Sequence, residues 1–357
     1  RFEIGDWGSR CMGRGELRLA RFHRVGAAAH AVALSGDGEH LLVGSEHGLR
    51  LTDRSGAVKY RLGRNGRAFN AVALSPRLDA GSPTLGLAME RAGRLFRLDF
   101  DRLSPEEPAD QDRCGMQIAA VGIWEQRDDL YSLDFAPNAG HDRNGLIALG
   151  HHALGLTALD GRGHLLWQLG PREGSPSAGL VASGRTWHAA ISSDARTIYA
   201  TALGWAAAGK RGEVMAIDAA LGRPVRSVTL AGHATLLAAL PSPLGVAAVV
   251  HRANPSGACC QVMAFDADLR NEVWSLPCPP DVTVTAVAAA PGQAVLWVGT
   301  NTGELWRLGA FTGRILARHD LLFASTVLSV AIAETGEIAA GLANGHVAFL
   351  ERVKDGG

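Results

Sequence analysis

The chain has 357 residues, 47% of them hydrophobic, which is enough for an extensive core and too many for a disordered chain. Lys and Arg total 35 and Asp and Glu total 35, so the formal charge is zero and no overall basic field exists to draw in nucleic acid. The 44 glycines predict many turns.

Five cysteines, at positions 11, 114, 259, 260 and 278, are too sparse and too odd in number for a disulfide framework, and no Cys/His zinc spacing occurs. The longest apolar stretches are broken, Leu236–Val250 by Pro241 and Pro243 and Val282–Gly299 by Pro291 and Gly292. No transmembrane helix is expected, and no membrane insertion. Arg1 stands where a Met would begin a chain, so the removal of a signal peptide, a tag or a longer polypeptide is expected upstream. The cytoplasm is the expected compartment, with export through a cleaved signal as the alternative.

In chain order, Glu16–His23 alternates as a strand. Ala31–Leu34 then alternates, turns at Ser35-Gly36-Asp37-Gly38 and alternates again through Leu41–Gly44. The pattern returns at Ala71–Pro76, Ser132–Pro137, Ala189–Asp194, Leu236–Pro241, Val287–Gly292 and Ser329–Gly336. The last apolar residues of the first strands are Leu34, Leu74, Phe135, Ile191, Leu240, Ala289 and Ile332, spaced by 40, 61, 56, 49, 49 and 43. Four-stranded propeller blades repeat at roughly 40–50 residues. The two long intervals contain insertions at 101–129 and 170–186.

Each unit continues with a second strand, a turn and a third strand. The turns include Ser45–Gly48, Glu90–Gly93, Thr300–Gly303 and Ala343–Gly345, whose Gly and Asn residues tolerate positive φ. Third strands end at Asp53, Asp99, Asp160, Asp218 and Asp266, where a carboxylate can accept hydrogen bonds from the amides of the following turn. Fourth strands follow at Ala57–Leu62, His164–Leu169, Val225–Leu230, Glu272–Leu276 and Arg314–Arg318. The seventh unit has room for three strands only. Glu16–His23 is expected to supply its fourth and close the ring. No long helix-period segment occurs. The predicted fold is an all-β, seven-bladed β-propeller, with residues 1–15 an N-terminal extension, 16–353 a single propeller domain and 354–357 a tail.

Gly212–Asp218 with Leu221-Gly222, Gly303–Leu308 with Thr312-Gly313, and Leu156–Asp160 through Trp167 resemble divergent bacterial WD40-like and quinoprotein-like (PQQ-type) propeller repeats. The resemblance covers about residues 16–353 and implies architecture more than activity, because propellers host unrelated functions. The Trp-Asp dipeptide of strict WD40 repeats is absent. Some quinone-dependent propellers carry adjacent cysteines under the cofactor, which Cys259-Cys260 resembles. The simpler reading is two small residues packed between blades, and no cofactor is expected.

His151, His152 and His188 are candidate metal ligands at the channel mouth, against a reading as hydrogen-bonded or solvated loop histidines, and no metal is expected. Asn138, Asp142 and Asn144 offer one carboxylate, too few for a Ca²⁺ loop. Hydrolase elbows, dinucleotide turns and Walker loops are absent. A basic and aromatic set on one face comprises Arg64, Arg67, Arg91, Arg127, Trp187, His188, Trp205, Lys210, Arg211 and Arg252, with Trp205 placed on the loop Gly204–Gly209. Arg and Trp are enriched at interface hot spots. The insertion 101–129 is expected to project between the third and fourth strands of blade two, on the opposite face.

The leading expectation is a non-catalytic interaction scaffold that binds a protein partner through one loop face, within a bacterial multiprotein assembly. One alternative is an enzyme or cofactor-binding propeller using His151, His152 or His188 at the channel mouth. Another is a small-ligand or glycan sensor that stacks its ligand on Trp187 and Trp205.

Overall fold

The computed structural model describes residues 17–62, 68–74, 85–90, 93–99, 116–117, 119–125, 129–136, 145–151, 155–170, 184–206, 209–254, 257–289, 293–322 and 324–352. Strand β1 (Leu17–Arg24) comes first. Blade one holds β2 (Ala29–Leu34), β3 (His40–Ser45), β4 (Gly48–Asp53) and β5 (Val58–Leu62). Blade two holds β6 (Phe69–Leu74), β7 (Leu85–Glu90) and β8 (Arg94–Asp99), then, after the short β9 (Met116–Gln117), β10 (Ala119–Glu125). Blade three holds β11 (Leu130–Ala136), β12 (Leu146–His151), β13 (Leu156–Asp160) and β14 (Leu165–Leu169). Blade four holds β15 (Gly184–Ile191), β16 (Thr197–Ala206), β17 (Gly209–Asp218) and β18 (Pro224–Leu230). Blade five holds β19 (His233–Ala239), β20 (Leu244–Asn254), β21 (Gly257–Asp266) and β22 (Glu272–Pro277). Blade six holds β23 (Val284–Ala289), β24 (Val295–Thr300), β25 (Glu304–Gly309) and β26 (Ile315–Asp320). Blade seven holds β27 (Val327–Ile332), β28 (Ile338–Leu342) and β29 (His346–Arg352), with β1 as its outermost strand.

The first strands of successive blades contact one another in cyclic order, β2 meeting both β6 and β27, so they line the centre of a closed ring. The fold is a seven-bladed β-propeller, as the sequence predicts. The described residues contain no helix, so none is long and apolar enough to cross a membrane.

Continuous apolar second strands build the core. In β3 and β12 both faces are covered by neighbouring blades, and the strands read as continuous apolar runs buried throughout or nearly so. Glycine appears where blades come closest. A Cβ on Gly299 in β24 would lie 2.4 Å from Val327, and one on Gly341 in β28 would lie 2.5 Å from the Ala29 carbonyl. Both neighbours belong to the first strand of the next blade, beside a bulge.

A second recurring contact joins the outermost strand of one blade to the turn between the third and fourth strands of the next. The Trp167 indole N–H donates to the Ala219 carbonyl (2.7 Å) and the Trp274 indole to Ala310 (2.6 Å). Gly222 and Gly313, both at positive φ, lie against these rings so closely that an added Cβ would be 2.5 Å and 2.6 Å away. Between blades four and five, the Tyr199 hydroxyl in β16 donates instead to Ala267 (3.0 Å). Three successive junctions thus use an aromatic donor on the carbonyl that follows a third strand. Asp53, Asp160, Asp218 and Asp266 accept turn amides as the sequence predicts, for example Ser55 N at 2.9 Å and His164 N at 2.8 Å.

Ring closure uses the same devices. β1 pairs with β29 from Leu17↔Arg352 to Arg24↔His346, and Val25 N donates to Gly345 O (2.7 Å). His23 on β1 covers Gly56 of blade one, as the tryptophans cover their glycines. Arg54 of blade one bridges Glu337 (3.4 Å) and Glu351 (3.2 Å) of blade seven, and Arg21 also reaches Glu351 (3.2 Å). These side chains are between 19% and 37% exposed, so the network is partly screened by solvent. Glu351→Gln is therefore expected to cost about 1 kcal/mol in urea unfolding at low salt, and less in 1 M NaCl, where the screening length is about 3 Å. An equal cost at both salts would mean that packing, not charge, closes the ring.

The segment 101–129 is less of an insertion than its polarity suggests. Its residues 119–125 form the fourth strand of blade two, and 116–117 pair in parallel with β5 of blade one, Tyr60 opposite Met116. Residues 100–115 lie outside the described residues.

Candidate interaction face

Each blade is an antiparallel meander, so the second-to-third turns of all seven blades emerge on one face of the ring, together with the blade-to-blade connections. Two neighbouring blades break the uniform height of that face. In blade four the ladder between β16 and β17 runs on through Gly204↔Arg211 and Trp205↔Lys210 to Ala206↔Gly209. In blade five β20 and β21 continue through Arg252↔Cys259 to Asn254↔Gly257. These strands have 10 or 11 residues, against 5 or 6 for the second strands of the other blades. Four extra residues at roughly 3.3 Å each lift the two hairpins about 13 Å above their neighbours.

Trp205, which the sequence places on a loop, therefore stands in a strand, with its backbone opposite Lys210. The backbones of Trp205, Lys210 and Arg211 gather on the blade-four hairpin, and Arg252 lies on the blade-five hairpin beside it. The Arg252 stem packs against Gly232, and its Nε is buried with no hydrogen-bond partner among the described residues. Trp187 lies where the first strand of blade four shifts register between Arg185 and His188. Arg64, Arg67, Arg91 and Arg127 lie outside the described residues, as do His152 and the segment carrying Asn138, Asp142 and Asn144.

The histidines separate on inspection. His151 is fully buried, with Nε2 2.9 Å from the Thr157 hydroxyl and its ring edge-on to Trp124 of blade two (5.2 Å). It is a packing group between blades two and three rather than an open ligand. His188 sits on the first strand of blade four, and desolvation pushes its pKa down to about 4, so it is neutral at pH 7. His251 hydrogen-bonds Thr235 (3.1 Å) and stacks on His233 (5.4 Å); burial, then the neighbouring His233, lowers its pKa. Among the described residues no group of three or more His, Cys, Asp and Glu side chains could hold a metal ion.

Buried polar groups stitch the first strands together. Asp134 in β11 accepts from Ile191 N (2.6 Å) in β15, and Ser132 accepts from Ala189 N (3.1 Å). Burial raises the Asp134 pKa, while the Ile191 and Phe135 amides oppose the shift. Nothing in the spacing of the sequence marks this carboxylate, because its inter-blade donor lies 57 residues away.

The architecture defines a β-propeller protein with one raised hairpin pair. No protein-family model matches the chain. No curated protein matches it either. Among solved structures it is similar to the crystal structure of Chaetomium thermophilum Raptor, with a TM-score of 0.70 and 9% identity. The match covers 96% of this chain and 29% of that one. At that identity the likeness shows the fold alone, and this chain spans less than a third of its neighbour's length.

Proposed function

We propose that the chain is a non-catalytic interaction scaffold that binds a protein partner through the face carrying the blade-four and blade-five hairpins, within a bacterial multiprotein assembly. The raised hairpin pair carries this reading. A rigid ring that raises two adjacent hairpins places the backbones of Trp205, Lys210, Arg211 and Arg252 on them, and Trp and Arg are the residue types that dominate interface energies. Trp187, His188, Arg64, Arg67, Arg91 and Arg127 extend the proposed surface towards the channel mouth and the other blades. His188 joins it as a neutral group, suited to hydrogen bonding rather than charge pairing. The propeller fold and its Raptor-like shape support the scaffold class, and the repeats' resemblance to PQQ-type sequences supports a bacterial setting.

The test is capture from a lysate of the source organism, quantified by mass spectrometry. Trp205→Ala/Arg211→Ala is expected to reduce recovery of a specific protein at least tenfold with an unchanged denaturation midpoint. Arg162→Ala, in the third-to-fourth turn of blade three on the other face, is expected to leave recovery unchanged. Equal recovery with both variants would place the partner elsewhere.

A further inference from the structure

The sequence draws attention to the vicinal pair Cys259-Cys260, but the fold gives Cys260 a different neighbour. The β21–β22 ladder reaches Gln261↔Pro277, and one step further Cys278 N donates to Cys260 O (2.9 Å). Cys260 and Cys278 are thus a directly opposed, hydrogen-bonded pair. Both side chains are buried in the same apolar cluster, at 4% and 8% exposure, and both are reduced. The Cys278 thiol hydrogen-bonds the Cys260 sulfur.

We propose that Cys260 and Cys278 form an oxidisable pair that closes to a cross-strand disulfide when a peroxide reaches it. Opposed residues of this kind have Cα atoms about 5.5 Å apart, inside the roughly 4.4–6.8 Å that a disulfide spans. The Cys278 hydrogen bond, against burial and with a further one from the Val284 backbone amide, lowers the Cys260 pKa and so favours its thiolate.

In the first step the Cys260 thiolate attacks one peroxide oxygen. The O–O bond breaks, Cys260 becomes a sulfenic acid and hydroxide leaves, taking up a proton as water. In the second step the Cys278 sulfur attacks the sulfenic sulfur, its proton leaves with the displaced hydroxyl as a second water, and the S–S bond forms. Two thiols and one hydrogen peroxide give one disulfide and two waters, the thiols supplying two electrons. Cys278 opens the connection from blade five to blade six, and Val284 begins the first strand of blade six. The bond would therefore tie the base of the raised blade-five hairpin to the blade junction beside it.

Peptide mapping of the folded chain tests this. The protein is treated with a few equivalents of hydrogen peroxide, remaining thiols are alkylated, and the digest is analysed without reductant. The expected product joins the peptides containing residues 260 and 278, is lighter by two hydrogens, and disappears on reduction. It is expected to persist in Cys259→Ser. Cys278→Ser is expected to leave a Cys260 sulfenic acid that a dimedone probe traps. Full alkylation of both cysteines after peroxide, or a linkage from Cys260 to Cys259 or to a second chain, would overturn the proposal. The mapping reads the unsubstituted protein, so it stands even if a variant fails to fold. It is also independent of whether the hairpin face binds a partner.

Discussion

Trp274→Ala is expected to lower the unfolding free energy by about 3–5 kcal/mol, the range for deleting a large buried aromatic side chain. Trp274 is 9% exposed, belongs to the cluster joining blades five and six, and donates to Ala310 O at 2.6 Å. Its removal opens a cavity at the junction and leaves that carbonyl without its donor. Trp274→Phe keeps most of the area and loses the hydrogen bond, so about 1–2 kcal/mol is expected. Gly313→Ala attacks the same contact from the other side, because the new Cβ would lie 2.6 Å from the indole and φ there is +65°. In the Trp274→Ala background the clash is gone and only the backbone strain remains, about 1 kcal/mol. The two substitutions are therefore expected to be strongly non-additive in a double-mutant cycle, read by urea unfolding. Simple additivity would show that the glycine and the indole do not share one contact.

The second large effect is on acid stability. The His188 pKa is lowered to about 4 in the fold, against about 6.5 in the unfolded chain. The unfolded state therefore takes up the proton first as pH falls. The His188 contribution is fully present above pH 6.5, is lost as pH falls from 6.5 towards 4, and changes no further below. About 2.5 units at 1.36 kcal/mol each gives a loss of up to about 3 kcal/mol. Asp134 works in the opposite direction: its raised pKa makes the folded state hold its proton more tightly, so its effect favours the fold as pH falls. The difference between the wild type and His188→Gln isolates the histidine. Unfolding free energies measured from pH 7 to pH 4.5 are expected to fall more steeply in the wild type. Parallel curves would show that the imidazole is not held neutral.

The blade count was legible in the sequence because each unit repeats an alternating strand and a polar turn, and five of the seven add a strand-ending aspartate. The ring closure was legible because the last unit lacked a strand that Glu16–His23 could supply. The junctions were not legible in the same way. Trp167 and Ala219 are 52 residues apart, and Trp274 and Ala310 are 36 apart, so no local pattern joins them. The fourth strand of blade two was hidden because the segment 101–129 opens polar and turn-forming, although Ala119–Glu125 within it is itself a largely apolar run. Trp205 was read as a loop residue because Ala206-Ala207-Ala208 has no β-branched side chain to signal a strand. The burial of His151 arises from Trp124, which belongs to a different blade.

Closure by β1 also dictates an order of assembly. As synthesis proceeds from the N-terminal side, Leu17–Arg24 emerges long before His346–Arg352, its only ladder partner among the described residues. At about 5–20 residues per second, Leu19 and Phe22 wait roughly 15–65 s before the strand they must join has been made. The nascent chain thus carries an unpaired, partly apolar strand while the blades are made, and β1 is among the last strands to be seated.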